Sequence, residues 1–148
     1  MSGLIVTTFL GAIVSTLLGA IVSLGCGASS TSPTEVQLGQ VFELRAGASA
    51  TLQDGLKVAF DGVRSDSRCP MDALCVWAGD AVVAVRLSHA AGSPAERELH
   101  TAERSGSETS YLAYVVKLVA LAPYPRLDRQ IRPDDYVATL TVATAKSP

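Results

Sequence analysis

The chain has 148 residues, which is the length of one domain. It carries 12 basic and 14 acidic side chains and a net charge of −2, so it lacks the basic surface that nucleic-acid binding requires. Hydrophobic residues make up 48% of the chain, but the first charged side chain is Glu35, so the uncharged first quarter raises the average. Composition therefore argues against a nucleic-acid partner and predicts an apolar segment followed by one globular domain.

The amino-terminal segment carries no charged side chain up to Gly25, and Cys26 follows. A run of this length can span a bilayer as a helix, or form the apolar core of a secretory signal that is removed from the mature protein. The run contains a repeat, because Leu10–Ser15 recurs as Leu18–Ser23, and a duplication explains its length. We expect a signal helix over residues 1–25, with an uncleaved membrane span or an ordinary cleaved signal as alternatives.

The residues directly before Cys26 form a second pattern, since Val22–Gly25 has only small or apolar side chains. This pattern resembles the lipobox of bacterial lipoproteins, although Ser23 stands where that motif prefers leucine and no Lys or Arg lies near Met1. The resemblance implies that Cys26 is acylated, that the signal is cut before it, and that the protein is membrane-anchored outside the cytoplasm. Gly27 after the cysteine implies the outer membrane if the organism is Gram-negative.

The rest of the chain divides into a tether and a domain. Residues 26–37 are small and polar, which predicts a flexible tether. Residues 38–148 show short alternating segments broken by turn residues, which predict strands of a single domain. The expected strands are Val41–Leu44, Ser49–Gln53, Leu56–Phe60, Val82–His89, Glu96–Thr101, Tyr111–Ala122 and Tyr136–Ala143.

About seven strands without an amphipathic helix predict an all-β domain. The two expected architectures are an antiparallel sandwich of the immunoglobulin-like type and a small barrel. Alternation predicts which side chains face the core, because successive side chains of a strand point to opposite faces. The predicted core faces are Leu56, Val58 and Phe60, then Val83, Val85 and Leu87, then Leu112, Tyr114, Val116 and Leu118.

Two further cysteines, Cys69 and Cys75, lie close together in the chain. If Cys26 is acylated, these two remain as a pair, and in an oxidising compartment such a pair forms a disulfide. The bridge is expected to fix the irregular connection between the strand ending at Phe60 and the next one. Trp77 is expected to pack beside the bridge, because its ring offers a large apolar area.

The sequence around these cysteines reads Ser67-Arg-Cys-Pro70, followed by Cys75-Val-Trp-Ala-Gly79. This motif resembles a family of uncharacterised bacterial lipoproteins and secreted domains. The segment Asp135–Leu140 is similar to the closing strand of that family. The resemblance implies an envelope protein and implies no activity.

The candidate functional residues surround the same two cysteines. Asp66, Arg68, Asp72 and Trp77 form a candidate binding surface for a small anion or a partner protein. The alternative is that the charged groups satisfy one another and the loop backbone. The sequence shows no nucleophile beside a base and no carboxylate pair in a cleft, so we expect no catalytic residue, metal or cofactor.

These observations predict a non-catalytic binding or structural module, anchored to the membrane through lipid and meeting an unidentified envelope protein. One alternative is a metal- or redox-active envelope protein that uses Cys69, Cys75, His89 and His100. Another is an inhibitor of a secreted hydrolase that inserts its disulfide loop into the enzyme.

Overall fold

The computed structural model describes residues 34–145, and this part of the chain is β structure with two short 3-10 turns. The predicted signal helix, Cys26 and residues 27–33 lie outside the described residues. Within them, no helix has the length and apolar character needed to cross a bilayer. The fold begins at strand β1 (Thr34–Val36), inside the range predicted as tether, because Val36 is apolar and buried in the core.

Nine strands form two separate sheets within residues 34–145. One sheet has the order β1-β3-β4-β5-β6 and the other the order β2-β9-β8-β7, so the fold is the sandwich of the two expected architectures. Every predicted strand region contains a strand, and β6 begins four residues earlier than predicted. The strands after β1 are β2 (Val41–Arg45), β3 (Ser49–Leu52), β4 (Lys57–Asp66), β5 (Ala81–His89), β6 (Gly92–His100), β7 (Glu108–Tyr111), β8 (Tyr114–Ala122) and β9 (Val137–Thr144).

The core lies between the sheets and follows the predicted alternation. The apolar side chains predicted to face inward on β4 and β5 are completely buried, and those of β8 and β9 meet them from the second sheet. Burial of this apolar area is the main force that holds the sheets together. The fully buried side chains of the four strands include Val58, Phe60, Val83, Val85, Leu87, Val116, Leu140 and Val142.

The prediction of one long strand over Tyr111–Ala122 is wrong. Residues 112–113 form a tight turn that separates β7 from β8, and Tyr111 pairs with Tyr114 across it. Leu112 has a φ of 51° and is half exposed, so it does not belong to the core face. The turn escapes detection because its residues are apolar, whereas two-residue hairpin turns usually carry glycine or asparagine at positive φ.

The strand directions place two features at one end of the sandwich. Strand β1 runs parallel to β3, and β3 runs antiparallel to β4. The amino-terminal end of β1 and the carboxyl end of β4 therefore point the same way. The connection from β4 to β5 lies at this end of the first sheet, beyond the last residue pair of the two strands.

Replacing Leu140 with alanine tests the core. Leu140 is completely buried, so we expect Leu140→Ala to lower the free energy of unfolding by about 2–5 kcal/mol. The matched control is Leu127→Ala, because Leu127 is 70% exposed and its loss should change stability by less than about 0.5 kcal/mol. Urea unfolding of both variants measures the difference, and equal values would contradict the packing.

Candidate functional site

The connection between β4 and β5, residues 67–80, is called the tip here, and residues 73–79 are its apex. The amide of Ser67 donates to the carbonyl of Asp80 (2.7 Å), and the amide of Cys69 donates to the carbonyl of Ala78 (2.8 Å). These bonds continue the hairpin beyond the sheet. The predicted disulfide closes it, with the Cα atoms of Cys69 and Cys75 5.9 Å apart. The tip is therefore a narrow, cross-linked extension of the sandwich.

Gly79 is required where the two arms of the tip meet. Its φ is +72°, and a Cβ at this position would overlap the carbonyl oxygen of Ser67. Only glycine lets the two backbones approach so closely at this φ. The glycine of the Trp-Ala-Gly sequence thus has a backbone role in the tip.

Arg68 is buried at the base of the tip, with 6% of its surface exposed. Its guanidinium donates two hydrogen bonds to the carboxylate of Asp66 (2.9 and 2.7 Å). It also donates to the carbonyl oxygens of Leu121 (2.7 Å) and Pro123 (2.9 Å), and its Cζ lies 4.9 Å from the ring centre of Tyr124. Arg68 therefore joins the first sheet to the end of β8 in the second.

Arg68 binds the carbonyl of Leu121, in the part of β8 that β7 does not pair, and the carbonyl of Pro123 directly after the strand. Strand β7 pairs with β8 only from Tyr114 to Lys117, whereas β8 continues to Ala122. Backbone carbonyls at an unpaired edge need another donor when they are buried. Arg68 supplies that donor in place of a strand.

Asp66 is the counter-charge of Arg68 and also accepts a hydrogen bond from the hydroxyl of Tyr136 (3.1 Å). Burial raises the pKa of the Asp66 carboxyl, but the hydrogen bonds and charge of Arg68 outweigh this effect, so the pKa lies below its usual value. Burial, together with the neighbouring carboxylate, raises the pKa of Tyr136. The Asp66 carboxylate is therefore held in its ionised form by protein partners, Arg68 and Tyr136.

The apex presents apolar side chains to solvent. Leu74 is fully exposed, Val76 is 90% exposed and Trp77 is 82% exposed. The expectation that Trp77 packs beside the disulfide is therefore wrong. The tip lies beyond the last residue pair of β4 and β5, and within residues 34–145 the ring stays exposed there.

A second loop supports the tip from one side. The amide of Met71 donates to the carbonyl of Pro125 (3.0 Å), and the amide of Leu127 donates to the carboxylate of Asp72 (2.9 Å). The guanidinium of Arg126 lies 3.6 Å from the same carboxylate. The connection after β8 thus holds the tip in place, and the apex is displayed in a fixed position.

The four residues of the predicted binding surface have different surroundings. Asp66 and Arg68 lie inside the protein and satisfy one another, as the alternative interpretation expected. Asp72 is a bracing residue at the surface, and Trp77 projects from the apex. Sequence reasoning did not single out Leu74 or Val76, although an apolar run inside a polar loop is a usable signal.

The residues of the metal or redox alternative are not brought together. Cys69 and Cys75 are bonded to each other. His89 and His100 lie at opposite ends of the β5–β6 hairpin, about 25 Å apart along the strands. His89 contacts a backbone carbonyl, whereas the ring of His100 lies 2.6 Å from the carboxylate of Asp80. Within residues 34–145, no three His, Cys, Asp or Glu side chains converge as metal ligands.

A shallow depression of about 360 Å³ lies at the foot of the tip, and Arg68 forms part of its wall. The guanidinium is the group there that would bind an anion, but four of its five N–H groups already donate hydrogen bonds to Asp66, Leu121 and Pro123. The depression therefore lacks the free charge that would hold a small anion.

Comparison with known proteins finds no family model, no curated protein and no solved structure that matches this chain. The roles of the motif residues are therefore assigned from their contacts in the structure. Arg68 joins the sheets, Gly79 allows the two arms to approach, and the cysteines close the tip.

Replacing Arg68 with methionine tests the junction between the sheets. The change leaves the Asp66 carboxylate buried without its counter-charge, so we expect the free energy of unfolding to fall by about 3–5 kcal/mol. Arg132→Met is the matched control, because the Arg132–Asp135 pair is exposed and its loss should have a much smaller effect. Denaturant titration compares the two variants, and an equally small loss in Arg68→Met would contradict the assigned role.

Acidification tests the ionised carboxylates at the base of the tip. Burial raises the pKa of Asp80, but hydrogen bonds from His100, the Ala102 amide and Thr101 outweigh it, so its pKa is lowered, like that of Asp66. Aspartates of the unfolded chain titrate at about pH 3.9. The two carboxylates therefore stabilise the fold fully above that pH, and this stabilisation is lost as the pH falls through their lower pKa values in the folded protein. In thermal unfolding between about pH 5 and about pH 2, we expect the stability of Asp80→Asn to fall less than that of the natural protein. Parallel pH profiles would contradict this assignment.

Proposed function

We propose that this protein is an exported, lipid-anchored module of the bacterial envelope that acts by contact rather than by catalysis. Residues 1–25 are the signal, Cys26 carries the lipid, and the sandwich is held outside the cytoplasm. The class of sandwich that we propose is immunoglobulin-like, on the basis of two sheets packed around one core.

The observation that carries the proposal is the disulfide between Cys69 and Cys75. Structural disulfides persist in oxidising compartments and are rare in the cytosol, so the bridge supports export. It also uses two of the three cysteines in the chain and leaves Cys26 as the odd one. Acylation of Cys26, at the end of a lipobox-like sequence, accounts for that remaining thiol.

Lipid attachment is sufficient to hold such a domain at a membrane. Each buried methylene contributes about 0.8 kcal/mol, so two or more acyl chains give stable anchoring. The described domain needs no spanning segment of its own under this proposal. By resemblance, the membrane is the outer one if the organism is Gram-negative.

The contact element under this proposal is the apex of the tip. Exposed apolar side chains held in a fixed position mark interaction sites, because their burial by a partner is favourable and costs little ordering. The charged groups at the base of the tip are bonded to one another, which supports a binding role over acid–base or nucleophilic chemistry.

Inhibition of a secreted hydrolase is a second candidate, and one observation favours it. Leu74 is fully exposed directly before a bridged cysteine, and a convex, cross-linked loop of this kind suits an apolar substrate pocket. Assays of secreted proteases and glycosidases with the purified protein test it. Inhibition that is lost in Leu74→Asp would support this candidate, and its absence across the enzyme classes would remove it.

Replacing Cys26 with serine tests the anchor. In cells fed a radiolabelled fatty acid, we expect the natural protein to incorporate label and to partition into membranes, and Cys26→Ser to do neither. Globomycin, which blocks the lipoprotein signal peptidase, should cause the precursor of the natural protein to accumulate.

Cys75→Ser is the matched control, because it removes a cysteine that belongs to the disulfide and does not carry the lipid. We expect this variant to incorporate label normally. Labelling of Cys26→Ser, or maturation that globomycin leaves unaffected, would overturn the proposed anchor.

A further inference from the structure

We propose that the apex of the tip inserts into the interfacial layer of the membrane that holds the lipid anchor. This inference rests on the proposed function, since it needs the anchor at Cys26. It assigns the exposed apex a lipid surface as its partner. Three observations carry it: the direction of β1, the length of chain before β1, and the chemistry of the apex.

The direction comes from the sheet register. The chain enters the domain at the amino-terminal end of β1, and that end faces the same way as the tip. A membrane anchor on the amino-terminal side of β1 therefore draws this end of the sandwich toward the bilayer. The opposite end, which holds the turn between β7 and β8, faces away.

The register also gives the reach of the tip. Thr34 is level with Leu87 of β5, through its pairing with Ala50 and the pairing of Ala50 with Val58. From Leu87 to Ala81, β5 advances about 20 Å toward the tip. The bonded arms of the tip add about 10 Å, so the apex lies about 30 Å beyond the level of Thr34.

The chain before β1 cannot hold the domain away from the membrane at that distance. Seven residues lie between Cys26 and Thr34, so the chain makes eight steps that span at most about 28 Å when fully extended. When the tip end faces the bilayer, the apex therefore reaches the surface before the connecting chain is exhausted. Contact between the apex and the lipid follows from these two lengths.

The chemistry of the apex suits that layer. The seven residues from Ala73 to Gly79 contain no charged side chain, and Leu74, Val76 and Trp77 project from them. Tryptophan favours the membrane interface, because its ring is apolar and its indole N–H finds polar partners there. The disulfide and the bracing loop hold these side chains in place, so insertion orders little that is not already ordered.

A protein surface is the competing partner for the same side chains. Lipid is favoured because the anchor brings the bilayer to the apex, whereas a protein partner would have to enter the gap between the domain and the membrane. The overall charge of −2 offers no attraction to anionic lipid, so the insertion we propose depends on apolar contact and should persist in uncharged vesicles and at high salt.

Trp77 provides the test, because it is the only tryptophan of the chain. The mature, acylated full-length protein is reconstituted into phosphatidylcholine vesicles whose acyl chains carry bromine near the headgroup. We expect Trp77 fluorescence to be quenched at least about twofold relative to vesicles without bromine. We also expect acrylamide to quench Trp77 less in the vesicles than in the domain released from them by proteolysis, without detergent. Leu74→Asp, a change at a fully exposed position, should reduce the bromine quenching.

The matched control moves the reporter to the other end of the sandwich. In Trp77→Phe with Val41→Trp, the new ring stands at the start of β2, where Val41 is 55% exposed, and it should show no bromine quenching. Equal quenching at both positions would mean that the domain lies flat on the membrane and would overturn the proposal.

The outcomes separate the two proposals. An acylated protein whose Trp77 stays accessible to acrylamide and unaffected by bromine overturns the insertion and leaves the anchor standing. Absence of acyl groups on Cys26, read from the mass of the amino-terminal peptide, overturns the anchor. Shielding of Trp77 only after native envelope proteins are added assigns the apex to a protein partner and overturns the insertion.

Discussion

The guanidinium of Arg68 is the one buried charge that bonds to both sheets at the base of the tip, within the part of the chain that the structure describes. It neutralises Asp66 at the end of β4 and binds carbonyls at the end of β8, so it links the two sheets at one end of the core. A buried ion pair is costly to desolvate, and here the cost is offset because each charge also has additional hydrogen-bond partners. Arg68 fixes the base of the tip against the second sheet, and the connection after β8 braces the tip further out.

The strands of the core were predictable because they require little beyond alternation. Buried positions of β4 and β5 read directly from the sequence as large apolar residues two apart, with alanine or a charged residue between them. The turn at Leu112 was not predictable, since its residues carry no turn signal and its left-handed backbone is imposed by the pairing of Tyr111 with Tyr114. Strand β1 was missed because three residues are too few to show a period.

The candidate site was predictable in its chemistry and not in its geometry. The count of three cysteines, one of them in a lipobox-like sequence, predicted the disulfide, and the charged residues near it singled out Asp66 and Arg68. The other partners of Arg68, however, lie more than fifty residues away in the chain and are backbone carbonyls, which have no sequence signature. The exposure of Trp77 was missed for a related reason, since an aromatic residue near a disulfide is usually packed and only the length of the tip leaves it outside.

The bracing of the tip separates what holds it from what it displays. Its frame consists of backbone hydrogen bonds, one disulfide, one glycine and the Asp72 carboxylate, and none of the exposed apex side chains takes part. Residues 73–78, apart from Cys75, are therefore free to change without cost to the fold. The sandwich is in effect a carrier for a short interchangeable peptide, in which natural variation can alter what the protein touches while the domain beneath it stays the same.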